Sequence, residues 1–403
     1  MKVLFFLILF WISFFKRFTQ AISESETTLV SIQTVFNHGI RSPLHNYPNN
    51  PNDIWSRYSS SLGQLTDLGM KQMYDYGVFL RQKYPSLNST YDRTRAWALA
   101  TDHDRNLQSA QMVMTGLFQP NQNTIWIKNS NLTGFYPVPI HTAPVECDQI
   151  FHRHSPCPRF NEIQEEARMA NVAKENASEG ILWKMKCQSN IDLGYYDLWR
   201  LGDKALIDAA HGLSVDKYIS EEMNRLMDVR NNNFYVSYIS TLEQAQLISG
   251  ALLNQIVSYF YRKISRTTQN ELYLYGAFDY YLSGLQRLMS TTSKFTQPNF
   301  GAAFIFELRK DSNGNHFVQT LWKDNAFNES ITFNPVNVLG CEIMCPVDKF
   351  RSLVSPYLVT SFDEICKQKK LTVTSTTSTT TTTTTTTGST GSKVTTTTTL
   401  RMA

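Results

Sequence analysis

The feature that most restricts what this chain can be is the stretch 36–43, with the sequence FNHGIRSP, which follows a strand-like segment at 29–36. It brings His38, Gly39 and Arg41 together in a strand-to-loop turn. An imidazole can act as a nucleophile, a glycine lets the backbone come close to a ligand, and an arginine offers a planar fork of donors that matches phosphate oxygens. These residues favour attack on a phosphate group. The plainer alternative is a hydrogen-bonded histidine at the end of a strand.

Strand-like and helix-like segments alternate at both ends of the chain, and a mainly helical block lies between them. Strands are predicted at 29–36, 97–101, 137–141 and 272–276, a hairpin at 304–321, and a helix that Thr66 caps and that runs to Arg81. This order predicts an α/β fold in which a mixed central sheet is flanked by helices. The core comprises 22–157 and 265–366, and 158–264 forms a helical insertion, or cap, domain.

The first 21 residues are typical of a signal peptide. Their apolar run, 3–15, is shorter than the ~20 residues that a membrane-spanning helix needs, and Ala21 ends a small-residue cleavage site. We therefore expect a secreted or lumenal protein, extracellular or lysosome-like, with no spanning segment after cleavage. Lys16 and Arg17 follow the apolar run and leave an uncleaved anchor as the alternative.

The composition changes abruptly near the end of the chain, where 372–399 is almost entirely threonine and serine. Such a segment cannot bury enough apolar surface to offset its ordering entropy. We predict that 367–403 is a disordered tail, and an O-glycosylated stalk is the sharper alternative. No membrane or lipid-anchor segment is recognised after it.

Cysteines and sequons agree with a secretory context. An even number of cysteines, six, favours disulfides. Cys341 and Cys345 could also be read as half of a metal site, but no second pair with ligand spacing accompanies them. Four sequons predict surface N-glycosylation at Asn88, Asn131, Asn176 and Asn328.

Charge and metal-ligand patterns are uninformative or negative. The net charge of +4 is small for 403 residues, and no basic cluster is interleaved with aromatics, so no nucleic-acid partner is expected. His152 and His154 lack the carboxylates or cysteines that would complete a metal site. No metal is therefore expected.

Several further motifs stand in a fixed order along the chain. Residues 63–70 read GQLTDLGM, 101–110 read TDHDRNLQSA, 157–160 read CPRF and 340–346 read GCEIMCP. Together with the FNHGIRSP stretch, they resemble the histidine acid phosphatases from about 29 to 366. The resemblance implies that His38 is the nucleophile, that Asp279 is the proton donor, and that Arg41 and Arg105 bind phosphate.

The chain departs from the family pattern at two positions. Asn37 stands where the family has an arginine, and Phe278 stands where it has a histidine that helps to hold phosphate. Asn37 can still donate neutral hydrogen bonds to a substrate, whereas Phe278 can donate none. The family resemblance also implies disulfides Cys157–Cys366 and Cys341–Cys345, and it leaves Cys147 with Cys187 as the third pair.

The implied activity is that of a secreted acid phosphatase-like phosphomonoesterase, acting through a phosphohistidine intermediate without a metal or other cofactor. Losing one oxyanion donor typically costs ~10²–10³ in rate, so the two departures predict reduced activity. The expected partner is a small-molecule or protein phosphomonoester, and a homodimer is left open. The alternative is a catalytically inactive member that binds a phosphorylated ligand or serves as a surface glycoprotein.

Overall fold

The computed structural model divides the chain into two units, Met1–Lys367 and Gln368–Ala403. The residues that it describes are 22–45, 55, 62–87, 90–120, 135–151, 157–172, 178–189, 192–291, 295–324, 330–367, 381–387 and 393–399. The predicted signal peptide, 1–21, lies outside them. The four predicted glycosylation sites Asn88, Asn131, Asn176 and Asn328 also lie outside them, as do His152 and His154.

The first unit is organised around a mixed, seven-stranded sheet. Its strands are β1 (Thr27–Asn37), β2 (Ala96–Ala100), β3 (Leu272–Ala277), β4 (Ala303–Asp311), β5 (His316–Lys323), β6 (Asn334–Pro335) and β7 (Met344–Pro346). The order is β2-β3-β1-β4-β5-β6, and β7 also pairs with β5. Strands β2, β3 and β1 are parallel, whereas β4 and those beyond it pair antiparallel.

The central strand β1 is buried almost continuously from Ser31 to Asn37. A strand that alternates strictly would bury one face only, but β1 lies between β3 and β4 and is covered on both faces. Val35 contributes to one apolar cluster, and Ile32 and Phe36 contribute to the other. The two clusters form the core of the unit.

Helices cover both faces of this sheet. The helices among the described residues are α1 (Asp67–Lys83), α2 (Asp104–Leu117), α3 (Pro158–Ala170), α4 (Glu179–Ser189), α5 (Tyr195–Ala210), α6 (Lys217–Ser220), α7 (Met223–Tyr238), α8 (Leu242–Ile264), α9 (Asp279–Leu288), α10 (Val347–Val354) and α11 (Phe362–Lys367). Helices α1 and α2 share a cluster with Ile32 and Phe36, whereas α8 and α9 share one with Val35. The predicted α/β fold with a mixed sheet is confirmed.

The Thr66 N-cap is confirmed as well. Its hydroxyl accepts a hydrogen bond from Gly69 N–H at 3.2 Å, and it thereby satisfies one of the backbone donors that a helix start leaves unpaired.

The predicted strand at 137–141 is wrong. Its only pairing in the described residues is a single bridge between Leu99 and His141. Pro137 and Pro139 lack the backbone N–H that a ladder needs, so the pairing does not extend beyond one residue.

The helical block contains two kinds of helix. Residues of α4, α5, α6 and α7 form an apolar cluster of their own. Helix α8, by contrast, packs in the same cluster as β3 and α9. A cap domain bounded at 158–264 remains a prediction. Because α8 packs with the sheet, the carboxyl-terminal boundary of such a domain would lie nearer to the end of α7.

Two of the three predicted disulfides are present, Cys157–Cys366 and Cys341–Cys345. The third is wrong, because Cys147 and Cys187 are free and exposed. A disulfide needs Cα atoms within about 7 Å. The backbone N–H of Cys147 donates to the Pro144 carbonyl in a turn, whereas Cys187 lies on α4. An even number of cysteines in the sequence does not by itself place two of them close together.

The second unit contains an antiparallel pair of strands, β8 (Thr381–Thr387) and β9 (Lys393–Thr399), with Thr384 opposite Thr396. The disordered tail over 367–403 stays a prediction. Threonine is β-branched and favours extended backbone, and the ladder pairs backbone groups without requiring apolar burial.

Among the described residues, none of the helices has the length and apolar character that crossing a membrane requires.

Candidate active site

The candidate site lies at the carboxyl ends of the three parallel strands. In the sheet, Phe36 of β1 is level with Gly276 of β3, and Gly276 is level with Ala100 of β2. The residues that follow each strand therefore meet at one edge, where α/β proteins commonly bind ligands. A cavity of about 460 Å³ opens there.

Four side chains predicted from the sequence line this cavity: His38, Arg41, Arg105 and Asp279. We call these four the cavity floor. They come from the ends of β1 and β3 and from the first turn of α2, so the sheet register brings together residues that are far apart in sequence.

The loop after β1 is held tightly against α1. A Cβ atom added to Gly39 would lie 2.4 Å from the Gly69 carbonyl oxygen, which is too close. The Ile40 carbonyl accepts hydrogen bonds from the backbone N–H and the hydroxyl of Thr66, at 3.1 and 3.0 Å. Gly39 is therefore needed for contact with a helix, whereas the sequence suggested contact with a ligand.

The His38 ring is buried and has a defined tautomer. Its Nδ1 lies 2.8 Å from the Gly39 carbonyl oxygen. Because a carbonyl only accepts, Nδ1 carries a proton and Nε2 keeps its lone pair when the ring is neutral. Burial holds the pKa of His38 well below its usual range, and the charges of Arg105 and Arg41 lower it further. The ring therefore stays neutral to lower pH than an ordinary histidine does.

Arg41 is bound by a carboxylate that sequence reasoning missed. Its Nη1 and Nη2 donate to Asp203 Oδ2 and Oδ1 at 2.9 and 3.2 Å. Asp203 belongs to α5 and is buried. The two-point contact fixes the plane of the guanidinium, and it also offsets part of the charge that Arg41 offers to a ligand.

Arg105 lies in the first turn of α2, over the ring of Phe278. Its guanidinium carbon is 4.8 Å from the ring centroid, a distance typical of a cation–π contact. Burial lowers the pKa of Arg105 to about 10, with Arg41 adding to the effect. The residue stays charged at acid and neutral pH.

Asp279 is the first residue of α9. Its Oδ1 accepts a hydrogen bond from Tyr280 N–H at 2.9 Å, and its Oδ2 accepts one from Gln297 Nε2 at 2.7 Å. Burial nevertheless raises the pKa of Asp279. A raised pKa keeps a proton on the carboxyl in acid, as a general acid requires.

This geometry agrees with comparisons to known proteins. The family model of the histidine phosphatase superfamily (branch 2) matches residues 28–323. The chain belongs to this superfamily.

Named relatives extend the match. The lysosomal acid phosphatase of Xenopus laevis is 30% identical over 355 residues, which cover 85% of this chain and 80% of the relative. The human prostatic acid phosphatase is 27% identical over 372 residues, 90% of this chain and 92% of that protein. A phytase from Citrobacter braakii has the same fold, with a TM-score of 0.65 at 15% identity over 84% of this chain and 99% of the phytase.

Asn37, the first departure from the histidine acid phosphatase pattern, turns to the protein rather than to the cavity. Its Nδ2 donates to the Asn299 carbonyl at 3.0 Å, and among the described residues its buried Oδ1 has no partner. Asn299 is itself held by Asp324, whose Oδ1 accepts its backbone N–H at 2.7 Å. The prediction that Asn37 contacts phosphate remains untested, but its side chain is committed elsewhere.

Phe278, the second departure, lies in the lining of the cavity. Its ring meets His38 edge-on at 5.7 Å and His103 edge-on at 4.9 Å. The position that holds a phosphate-binding histidine in the histidine acid phosphatase pattern here packs against His38 and stacks with Arg105.

Four aromatic side chains from the helical block also line the cavity: Tyr196 and Trp199 of α5, and Phe234 and Tyr238 of α7. We call them the aromatic wall. Sequence analysis missed them, because their helical spacing is equally typical of core packing. Nothing within either helix distinguishes a residue that faces a cavity from one that faces a neighbour.

In the part of the chain that the structure describes, histidine, cysteine and acidic side chains form no group of three or more that could hold a metal ion.

Proposed function

We propose that this member of the superfamily is a phosphomonoesterase that works in acid through a phosphohistidine at His38. One observation carries the proposal: burial lowers the pKa of His38 and raises that of Asp279 within one cavity. A neutral imidazole and a protonated carboxyl can then coexist in acid. Environments that push paired pKa values apart identify an acid and a base or nucleophile.

In the first step, the lone pair of His38 Nε2 attacks phosphorus. The phosphorus–oxygen bond to the leaving group breaks, and Asp279 gives its proton to the departing oxygen. Arg41 and Arg105 stabilise the charge on the other phosphate oxygens. In the second step, Asp279 accepts a proton from water as the water oxygen attacks phosphorus, and Nε2 leaves with its lone pair restored.

The decisive experiment measures turnover of an aryl phosphate by the purified protein and traps phosphate on the protein by rapid denaturation. His38→Ala should abolish turnover and the acid-labile phosphoprotein together. His316→Ala is the matched control, because His316 lies on β5 outside the cavity lining. Turnover retained in His38→Ala would contradict the mechanism.

A second function is favoured by the two departures. Asn37 is committed to Asn299, and Phe278 offers no hydrogen bond. A site with these side chains suits binding of a phosphorylated ligand without turnover. Orthophosphate binding by a wild-type protein that shows no turnover and no trapped phosphate would favour this function over the enzyme.

We also propose a secreted or lumenal location. The signal-like segment 1–21 supports it, and so does similarity to lysosomal and prostatic acid phosphatases. Expression in a eukaryotic host should yield a glycosidase-sensitive product in the secretory pathway. A product confined to the cytosol and unmodified would contradict this location.

A further inference from the structure

The cavity floor carries less positive charge than the histidine acid phosphatase pattern would give it. Asp203 offsets Arg41 through two hydrogen bonds, and the position of the missing arginine holds neutral Asn37. With Asp279 protonated for catalysis, Arg105 alone would supply uncompensated positive charge. A phosphate monoester carries up to two negative charges, so such a floor would be poorly matched to it.

A third buried arginine changes this balance. Arg230 of α7 is 5% exposed, and its Nε lies 3.8 Å from Asp203 Oδ1. Among the described residues, that Nε has no hydrogen-bond partner. Asp203 carries one negative charge and faces two guanidinium groups, so the three side chains together keep one positive charge.

Arg230 also lies on the face of α7 that is directed to the cavity. Asn233 and Phe234, three and four residues further along the helix, both line the cavity, and residues at this spacing share one helix face. The next residue, Asn231, accepts the Gln297 backbone N–H at 3.0 Å through its Oδ1. Gln297 is the residue that donates to Asp279. The helix turn that carries Arg230 is therefore bound to the surroundings of the proton donor.

The electrostatic neighbours of Arg230 extend to both sides of the floor. Burial lowers its pKa, while the charges of Asp203 and Asp279 raise it, and Asp324 contributes in the same direction. Asp324 is the carboxylate that holds Asn299, to which Asn37 donates. Burying an arginine beside a carboxylate that is already paired is costly. A buried charge with such a cost is expected where the charge serves a function.

We propose that Arg230 replaces the positive charge that is missing at position 37. In this role it is a positioning residue: it shares Asp203 with Arg41, fixes the Arg41 fork, and leaves the Arg41–Asp203–Arg230 group with net positive charge toward bound phosphate. The inference rests on the proposed function of the cavity as a phosphate site. A purely structural ion pair is the alternative.

The test measures the affinity of the full-length protein for orthophosphate by calorimetry, and kcat and KM for an aryl phosphate beside it. Arg230→Met removes the charge and keeps most of the volume. It should weaken orthophosphate binding about tenfold or more. The reason is that the buried positive charge of Arg230 attracts the phosphate anion more strongly than a charge exposed to water would. Arg225→Met is the control, since Arg225 lies on the same helix, half-exposed and paired with Glu222. It should bind as the wild type does.

Two further variants separate charge from folding. Arg230→Lys keeps the charge and should retain affinity within about threefold of wild type. Asn37→Arg, added to Arg230→Met, should restore more affinity than it adds to the wild-type protein, because the two arginines would supply the same charge. A purely structural Arg230 would give equal gains in both backgrounds.

The outcomes distinguish the inference from the function on which it rests. If the wild-type protein shows no turnover but Arg230→Met weakens its orthophosphate binding, the inference is supported and the phosphatase function is contradicted. Unchanged binding in Arg230→Met, in a protein that does turn over, overturns the inference alone. Equal losses in Arg230→Lys and Arg230→Met, additive gains from Asn37→Arg, or no wild-type binding at all also overturn it.

Discussion

The floor and the wall of the cavity come from different parts of the chain and obey different rules. The floor residues follow strand ends, where sheet register fixes their positions to within a residue. The wall residues lie on α5 and α7, which share the apolar cluster of the helical block, although Phe234 of α7 packs in the same cluster as Val35 of the sheet. In the proposed function, the sheet edge carries the chemistry, whereas the helical block forms its surroundings. Changes in the floor should alter catalytic rate, and changes in the wall should alter substrate preference.

The largest effect is expected from Asp279→Asn in the floor. Removing a general acid typically costs 10²–10⁴ in rate, so kcat should fall by about that factor. Poor leaving groups should lose more than good ones, because only they need the proton. Rates for a series of aryl and alkyl phosphates measure this, with Asp75→Asn on the exposed surface of α1 as control. Equal slowing across the series would count against the acid role.

The next largest effect tests the two departures in the floor. The double variant Asn37→Arg with Phe278→His should raise kcat/KM by at least about 10², since a single oxyanion donor is worth ~10²–10³ in intact sites. Added positive charge should also lower the pKa of His38, so the acidic limb of the rate profile moves to lower pH. An unchanged rate and an unchanged profile would mean that neither position limits the site.

A smaller effect is expected from the wall. Trp199→Ala should raise KM a few-fold, about three to ten, for substrates with bulky leaving groups, and it should leave kcat nearly unchanged. Trp183→Ala is the matched control, because Trp183 lies on α4, is 70% exposed, and does not line the cavity. A fall in kcat as large as that of a floor variant would break the distinction between floor and wall.

The smallest effect concerns the pH dependence of folding stability, to which Asp324 contributes. Burial raises the pKa of Asp324 to about 6, above its value of about 3.9 in an unfolded chain. Between these values the folded state holds the proton more tightly, so this carboxyl contributes stability in acid that is lost as pH rises through about 6. Melting temperatures from pH 4 to 7 should show this loss in the wild type, and Asp324→Asn should reduce it. Parallel profiles would show that Asp324 does not titrate as described.

The sequence predicted the floor well for a physical reason. A loop that joins a buried strand to a helix has few conformations, and the motifs around His38 and Arg105 place their side chains relative to strand ends. The sheet then brings the ends together, as Phe36, Gly276 and Ala100 do by register. The α/β class followed from the same alternation of strands and helices.

Tertiary partners could not be predicted in this way. Asp203 lies 162 residues from Arg41, within a helix whose acidic residues look alike from sequence, and Arg230 has no local signal at all. The low pKa of His38 could not be predicted either, because burial is its main cause and the charges of Arg105 and Arg41 come second. Burial depends on how the helices pack over the sheet.

The Cys157–Cys366 disulfide joins the start of α3 to α11 across a sequence separation of 209 and closes the chain between them into a ring. Asp203, Arg230 and Asp279 lie inside this covalent ring, while His38, Arg41 and Arg105 lie on the chain before it. A single protease cut anywhere in the ring leaves the two fragments tied together. A nicked molecule can therefore keep both contributions to its cavity for as long as the sulfur–sulfur bond is not reduced.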